Sequence, residues 1–154
     1  ARDGHILINT TYERNVPVIQ KSVEQLGFKF SDIRLILGTH AHGDHVGDGP
    51  ALARQHNAPL YGPAGLNDTL VVLGELPNAL SPRFNKGGVI APLGEGIKIT
   101  MTRAEHSSEY KWTNPGTGQA EVHVGGEPAG FIIELRTASR STTWATPACS
   151  GTWA

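Results

Sequence analysis

The stretch Thr39-His40-Ala41-His42-Gly43-Asp44-His45 carries three imidazoles and one carboxylate within six residues. Imidazole nitrogens and carboxylate oxygens are ligands that Zn²⁺ accepts in proteins. Side chains two residues apart on an extended segment point the same way, so His40 and His42 are expected to bind one ion. Asp44 and His45 are expected to face a neighbouring position. The stretch therefore predicts a two-metal site.

The position of this stretch in the chain supports the metal interpretation. It follows the apolar run Leu35-Ile36-Leu37, which predicts a buried strand, and Gly43 permits a turn between the two pairs of ligands. Sites at the ends of strands are typical of α/β proteins. The alternative is a solvated histidine-rich loop that holds no metal. We favour metal binding because four potential ligands are concentrated at one strand end.

The length and composition agree with a globular enzyme domain. The chain has 154 residues, of which 38% are hydrophobic and 18% are charged, and this length allows one buried core. A net charge of −1 gives no electrostatic support for binding nucleic acid, and the apolar runs are too short to cross a membrane. Cys149 is the only cysteine, which excludes an intrachain disulfide and a cysteine-rich zinc site.

The first half of the chain alternates predicted strands and helices, which indicates an α/β layer with its site at strand ends. Asn15 and Pro17 mark the start of a first helix and Gly27 marks its end. An apolar stripe at helical spacing on this helix is expected in the core, and it consists of Val16, Ile19, Val23 and Leu26. The other predicted elements are strands over 4–9, 33–37 and 58–61 and a helix over 46–56.

The second half is predicted to be richer in strands. Residues 62–80 predict one or two short helices, broken at Gly74 and Pro77. Residues 96–102 alternate apolar and polar side chains as a half-buried strand does, and residues 130–135 predict another strand. Between these two strands, residues 114–118 have the Asn, Pro and Gly content of a turn.

His106 is the candidate for a third ligand of the first metal ion. It follows the strand that ends near Ala104, so it occupies the same kind of strand-end position as the first histidines. A three-histidine site with an open water position needs one such nitrogen from a distant loop. The alternative is an ordinary loop histidine. His123 is expected to line a hairpin, and His5 and His56 are expected to be structural or solvated.

The pattern HxHxDH at residues 40–45, with a later histidine at a strand end, resembles the metallo-β-lactamase superfamily. Residues 4–47, GHILINTTYERNVPVIQKSVEQLGFKFSDIRLILGTHAHGDHVG, are similar to subclass B3 metallo-β-lactamases. Residues 48–135, which include APLYGPAGLNDTL and AEHSS, are similar to bacterial metal-dependent hydrolases of the same superfamily. The chain is therefore expected to join segments that resemble two relatives.

The resemblance implies an αββα sandwich, an α/β fold with two sheets face to face, helices outside and the active site at one edge. It implies that His40, His42 and His106 bind a first zinc ion, and that Asp44 and His45 contribute to a second. The implied reaction is hydrolysis by a zinc-bound hydroxide, which Asp44 would orient as the catalytic carboxylate.

The resemblance favours β-lactam hydrolysis, which implies a small-molecule substrate and a role in antibiotic resistance. The alternatives are hydrolysis of another ester, lactone, thioester or phosphodiester, or a catalytically impaired fragment that only binds metal. The implied location is bacterial, in the periplasm for a β-lactamase and in the cytoplasm otherwise.

The chain also departs from the superfamily pattern. An N-terminal hairpin and a further histidine near the C-terminus are expected in relatives and are missing here, so an incomplete sandwich is expected. Because these groups serve mainly the second metal, we expect one or two zinc ions with the second position depleted. Sheet edges left open by missing segments would allow a homo-oligomer.

Residues 136–154 form an atypical tail after a partial metallo-β-lactamase-like domain at residues 1–135. The tail is rich in Ser, Thr, Ala and Trp and lacks the alternation of the preceding strand. A related hydrolase is expected to continue through a Gly-Asp-Thr motif. Codons exist for such a segment that, read one nucleotide later, give Arg136 to Ala154 residue for residue, with Thr146 in place of the aspartate. We interpret the tail as a frameshift product; the alternative is a native linker or disordered end.

The DNA that encodes residues 136–154 tests the frameshift hypothesis. Translation of the frame shifted by one base is expected to restore a Gly-Asp-Thr motif. A shifted frame without that motif would leave the native linker as the interpretation of the tail.

Overall fold

The computed structural model describes residues 4–94, 96–136 and 141–146. Most of the predicted atypical tail lies outside these residues. The helices are α1 (Val16–Gln25), α2 (Gly43–Val46), α3 (Gly49–His56) and α4 (Ala64–Val72), with 3-10 turns at Glu13–Asn15, Phe30–Asp32 and Asn78–Leu80. The strands are β1 (His5–Ile8), β2 (Ile33–Leu37), β3 (Leu60–Pro63), β4 (Arg83–Phe84), β5 (Val89–Ile90), β6 (Ile97–Arg103), β7 (Glu109–Thr113), β8 (Ala120–Val124), β9 (Ala129–Arg136) and β10 (Ser141–Thr146).

The first sheet is parallel and has the strand order β1-β2-β3-β4 within the described part of the chain. β1 pairs with β2 from His5 opposite Ile33 to Ile8 opposite Leu37. β3 lies on the other side of β2, and β4 extends the sheet beside β3. Parallel strands need crossover connections, which α1 supplies between β1 and β2. The carboxyl ends of β1 and β2 therefore lie at the same edge, and the histidine-rich stretch begins there.

The second sheet is antiparallel, with the order β10-β9-β6-β5. β6 and β9 are paired from Ile97 opposite Leu135 to Arg103 opposite Ala129. The backbone of β10 pairs along β9. A separate antiparallel hairpin, β7 and β8, lies between β6 and β9 in sequence and encloses the predicted turn at residues 114–118.

The core has two parts because β2 is buried on both faces. Leu35 and Leu37 of β2 pack with residues of β6 and β9, which places the two sheets face to face. Ile36, on the opposite face of β2, packs with residues of the helices. A strand covered on both sides reads as a continuous apolar run, as residues 35–37 do. Helix, parallel sheet and antiparallel sheet thus form three successive layers among the described residues, which agrees with the predicted incomplete αββα sandwich.

The predicted strands over 4–9, 33–37, 96–102 and 130–135 are confirmed, and several other details are corrected. Leu26 is 72% exposed, so it is not a core residue; it caps the end of α1, whereas the rest of the stripe packs against the core. The helix predicted over 46–56 is two helices, α2 and α3, separated at residues 47–48. The short strand predicted over 58–61 is β3, two residues later, and the two-residue strands β4 and β5 were not predicted.

The helices offer no candidate for a transmembrane segment. In the part of the chain that the structure describes, none combines the length and the apolar character that crossing a bilayer requires.

Substitutions of two leucines test which residues belong to the hydrophobic core. Leu35 is fully buried between the sheets, whereas Leu26 is largely exposed at the end of α1. Leu35→Ala is expected to lower the free energy of unfolding by about 2–5 kcal/mol, because it removes buried surface and leaves a cavity. Leu26→Ala, the matched control, is expected to change it by less than about 0.5 kcal/mol. Chemical denaturation measures both, and equal losses would contradict the assignment.

Candidate metal centre

The structure brings His40, His42 and His106 together. His40 and His42 lie in the loop that leaves β2, and His106 lies in the loop that leaves β6. One ring nitrogen from each histidine lies within 4.8 Å of the other two. Residues 66 positions apart in sequence therefore meet at the edge shared by the two sheets. This trio, which we call the histidine triad, could hold a metal ion.

His40 is the buried member of the triad. Its Nδ1 is 3.0 Å from the Thr39 hydroxyl, which itself donates a hydrogen bond to Asn9 Oδ1. The Thr39 oxygen must therefore accept from His40, and the proton of the neutral ring lies on Nδ1. Burial, and then the neighbouring histidines, lower the pKa of His40 from 6.5 to about 3. The ring is thus neutral at pH 7.

The other ring nitrogen of His40 is suited to a metal ion. His40 Nε2 is buried and has no hydrogen-bond partner among the residues that the structure describes. A buried polar atom without a partner is costly, and a lone pair in this position is a metal-ligand donor that needs no deprotonation. The donor set and its burial therefore fit a metal ion.

His42 and His106 each donate their other N–H to an acceptor. His106 Nδ1 is 2.8 Å from the backbone oxygen of Ser107, which leaves its Nε2 lone pair free. His42 Nε2 is 3.0 Å from Glu109 Oε2, which leaves its Nδ1 free. The same hydrogen bond lowers the pKa of the Glu109 carboxyl. A histidine oriented by a carboxylate or a backbone carbonyl is the usual arrangement around metals.

Glu109 was not predicted from the sequence. The sequence offered one indication of its role, because Glu109 lies three residues after His106 and is the first residue of β7. What the sequence could not indicate is the 67-residue separation across which it reaches His42.

Asp44 and His45 lie beside the triad rather than within it. Both are on α2, and the ring centroid of His45 is 4.1 Å from that of His40. Asp44 Oδ2 is 3.7 Å from His45 Nε2, and the Asp44 side chain is half exposed. Burial lowers the pKa of His45, and the neighbouring Asp44 carboxylate opposes this effect. The two predicted ligands of a second ion are therefore adjacent to the triad.

The predicted role of Gly43 as a turn residue is wrong. Gly43 begins α2 and is not among the glycines with positive φ. Its missing side chain instead leaves room for Tyr12, because a Cβ at this position would lie 3.1 Å from the Tyr12 ring.

A backbone latch fixes the loop that carries His40 and His42. The N–H of Ala41, between the two histidines, donates to the Ser108 hydroxyl at 3.2 Å. That hydroxyl donates to the backbone oxygen of Gly125 at 3.1 Å, and the Gly125 N–H donates to the Ser108 oxygen at 2.8 Å. The start of β7 and the end of β8 therefore hold the histidine loop in place.

An open cavity of about 420 Å³ lies beside His42, the triad member that lines it. Its lining provides an imidazole, two carboxylates, an ammonium and a phenol, from His42, Asp44, Glu109, Lys111 and Tyr12, together with Gly43. A cavity of this size accommodates a small molecule.

The other histidines examined in the sequence lie elsewhere. His123 is in β8 of the β7–β8 hairpin, as predicted, and its Nε2 is 3.0 Å from Glu121 Oε2. His5 is in β1 and contacts the Phe28 ring, and His56 is in α3 and contacts the Phe30 ring. These positions agree with structural roles.

Comparison with protein-family models agrees with this histidine triad and with the two packed sheets that carry it. A family model described as the Beta-lactamase superfamily domain matches residues 5–151. The chain belongs to the metallo-β-lactamase superfamily. The predicted resemblance is thereby confirmed.

Curated relatives are named metal-dependent hydrolases of the UPF0173 group. The chain is 54% identical over 114 residues to one from Cupriavidus necator, an alignment that covers 71% of this chain and 39% of the relative. It is 48% identical over 124 residues to one from a Polaromonas species, covering 80% of this chain and 44% of the relative. The chain therefore spans less than half the length of these relatives.

Solved structures of β-lactamases share the fold. A β-lactamase from Chitinophaga pinensis is 29% identical, with a TM-score of 0.64 over 93% of this chain and 51% of that chain. The FEZ-1 metallo-β-lactamase from Legionella gormanii is 21% identical, with a TM-score of 0.62 over 99% of this chain and 56% of that one. At 21% identity, the similarity to the FEZ-1 enzyme shows a shared fold and nothing further.

Gly125→Ala tests the latch under the histidine loop. An added Cβ would collide with Ala41 and lie 2.7 Å from the Ser108 backbone oxygen. The variant is expected to lower the free energy of unfolding by about 1–3 kcal/mol, measured by chemical denaturation, because a closely packed contact has no space to give. The control is Gly96→Ala, whose added Cβ meets no described residue within 4 Å. A Gly125→Ala variant as stable as that control would show that the latch is unimportant.

Proposed function

We propose that this chain is a zinc-dependent hydrolase whose metal is held by His40, His42 and His106. The observation that carries the proposal is that one ring nitrogen from each of the three histidines lies within 4.8 Å of the others. In the described part of the chain, the buried Nε2 of His40 also lacks a hydrogen-bond partner. The names of the curated relatives, metal-dependent hydrolases, support it.

Zinc is the metal that this donor set favours among common cations. Three imidazoles suit zinc and other transition metals, whereas magnesium and calcium require oxygen ligands. Three protein ligands also leave a coordination position open, as in catalytic zinc sites. Asp44 and His45 would supply a second, weaker position, because together they offer only two ligands.

Bound zinc would supply a Lewis acid that polarises a carbonyl oxygen and lowers the pKa of water. Asp44 would orient the attacking water molecule at the cavity wall and accept its proton, for which its half-exposed carboxylate is suited. Glu109 would hold the His42 ring in position through the Nε2 hydrogen bond. Tyr12 would form part of the cavity wall beside Gly43.

The first candidate substrate is a β-lactam. The Chitinophaga pinensis β-lactamase, similar over 93% of this chain, supports it. Lys111 adds a second argument, because its ammonium lines the cavity and is suited to a carboxylate of the kind that β-lactams carry.

The second candidate is a different carbonyl or phosphoryl substrate, such as an ester, lactone, thioester or phosphodiester. The higher identity to relatives whose names specify no β-lactam, 54% against 29%, supports this candidate. A metal-binding fragment without turnover is the remaining alternative.

Zinc content and turnover of nitrocefin, measured together, test the proposal. The unaltered protein is expected to bind zinc and to hydrolyse nitrocefin, with chelator abolishing turnover. His42→Ala is expected to weaken zinc binding at least 100-fold, the upper end of the roughly 10–100-fold that loss of a supporting group alone costs. Turnover of lactone or phosphodiester probes without nitrocefin turnover would select the second candidate.

The matched control is His123→Ala. His123 also pairs with a carboxylate at 3.0 Å but lies outside the triad, so its removal is expected to leave zinc affinity unchanged. Equal zinc affinity in both variants, or no zinc bound by the unaltered protein, would refute the metal site. Zinc bound without turnover of any probe would indicate the metal-binding fragment.

A further inference from the structure

The side-chain amide of Asn9 contacts His45 directly. It also contacts Thr39, which is the hydrogen-bond partner of His40. It is the residue after β1 and its backbone adopts φ 57°, a left-handed conformation that asparagine and aspartate tolerate better than most residues. Its backbone N–H donates to the Leu37 oxygen at 2.8 Å, which ties it to the end of β2. The side chain therefore projects from a fixed backbone at the edge where the histidines lie.

The orientation of the Asn9 amide is determined by its partners. The backbone N–H of Thr39 is 3.1 Å from Asn9 Oδ1, and a backbone N–H can only donate. The Thr39 hydroxyl lies 3.1 Å from the same oxygen. Oδ1 is thus the acceptor for Thr39, and the Nδ2 amide group faces the other way. It lies 2.9 Å from Nδ1 of His45.

This orientation sets opposite tautomers on His40 and His45. Since Asn9 Nδ2 can only donate, Nδ1 of a neutral His45 must accept and its proton lies on Nε2. That Nε2 lies 3.7 Å from Asp44 Oδ2. His40 has the reverse arrangement, with the proton on Nδ1 and a free Nε2. One histidine is ready to bind a metal ion, and the other is not.

We propose that Asn9 is a positioning residue that holds His45 in the tautomer that cannot bind metal through Nε2, and so confines the ion to the histidine triad. Neither ring nitrogen of His45 is free, because Nδ1 accepts from Asn9 and Nε2 carries the proton. Binding beside Asp44 requires the His45 proton to leave Nε2. The inference rests on the proposed metal site for its consequence, although the tautomer itself is a property of the metal-free protein.

Asn9→Asp is the substitution that reverses the arrangement. Aspartate has nearly the same shape and also tolerates the left-handed backbone. One carboxylate oxygen can accept from Thr39, and the other can accept only a proton donated by His45 Nδ1. The His45 proton is therefore expected to move to Nδ1, which frees Nε2 next to Asp44.

Nitrogen-15 NMR of the imidazole rings in the metal-free protein tests the tautomers directly. The unaltered protein is expected to show His45 protonated on Nε2 and His40 protonated on Nδ1. Asn9→Asp is expected to reverse His45 and to leave His40 unchanged. A His45 proton on Nδ1 in the unaltered protein, or an unchanged His45 in Asn9→Asp, would overturn the inference. The spectrum of the unaltered protein decides even if the variant does not fold.

Calorimetric titration with zinc tests the consequence. The unaltered protein is expected to bind one ion, with a second at least about 10-fold weaker, and Asn9→Asp is expected to strengthen the second step by about 10-fold or more. Thr11→Asp is the control for added charge, because it adds a carboxylate two residues from Asn9 at a position whose described side-chain partner is Asn15. Equal strengthening in Thr11→Asp would overturn the proposed role of Asn9. No zinc binding by the unaltered protein would refute the metal site, while the spectrum would still report on Asn9.

Discussion

A buried ring nitrogen without a hydrogen-bond partner is the constraint on which the site depends. His40 lies where β1, β2 and β6 end, and its burial keeps the imidazole neutral. Buried polar atoms in a protein core normally have a hydrogen-bond partner. Here the Thr39 hydroxyl holds Nδ1 of His40, and no described residue pairs with Nε2. The loss of stability from an unpaired buried atom is tolerated at functional sites, where that atom binds a ligand.

The two sheets supply the parts of the site from distant places in the sequence. The parallel sheet delivers Asn9 and the first two histidines, and the antiparallel sheet delivers His106. Backbone hydrogen bonds join the two sets, including the Ala129 N–H that donates to the Thr39 oxygen at 2.9 Å. The position of the triad is therefore set by the face-to-face packing of the sheets as much as by the loops themselves.

The sequence was sufficient to predict the triad and the strands that carry it. The short spacing of His40 and His42 and the strand-end position of His106 are local patterns. They can be recognised without any knowledge of tertiary packing. Leu26 failed as a core prediction because helical spacing indicates a stripe but not where the stripe ends. Glu109 and Asn9 were missed because each acts on a histidine more than 30 residues away, and such pairs are set by tertiary packing.

The central claim is that three imidazoles, and no other side chains, hold one metal ion. X-ray absorption spectroscopy at the zinc edge, on protein loaded with one equivalent of zinc, tests it most directly. The account predicts three imidazole nitrogens at about 2.0–2.1 Å and no sulfur ligand. A zinc–sulfur distance near 2.3 Å, which would come from Cys149, or fewer than three imidazoles, would contradict it.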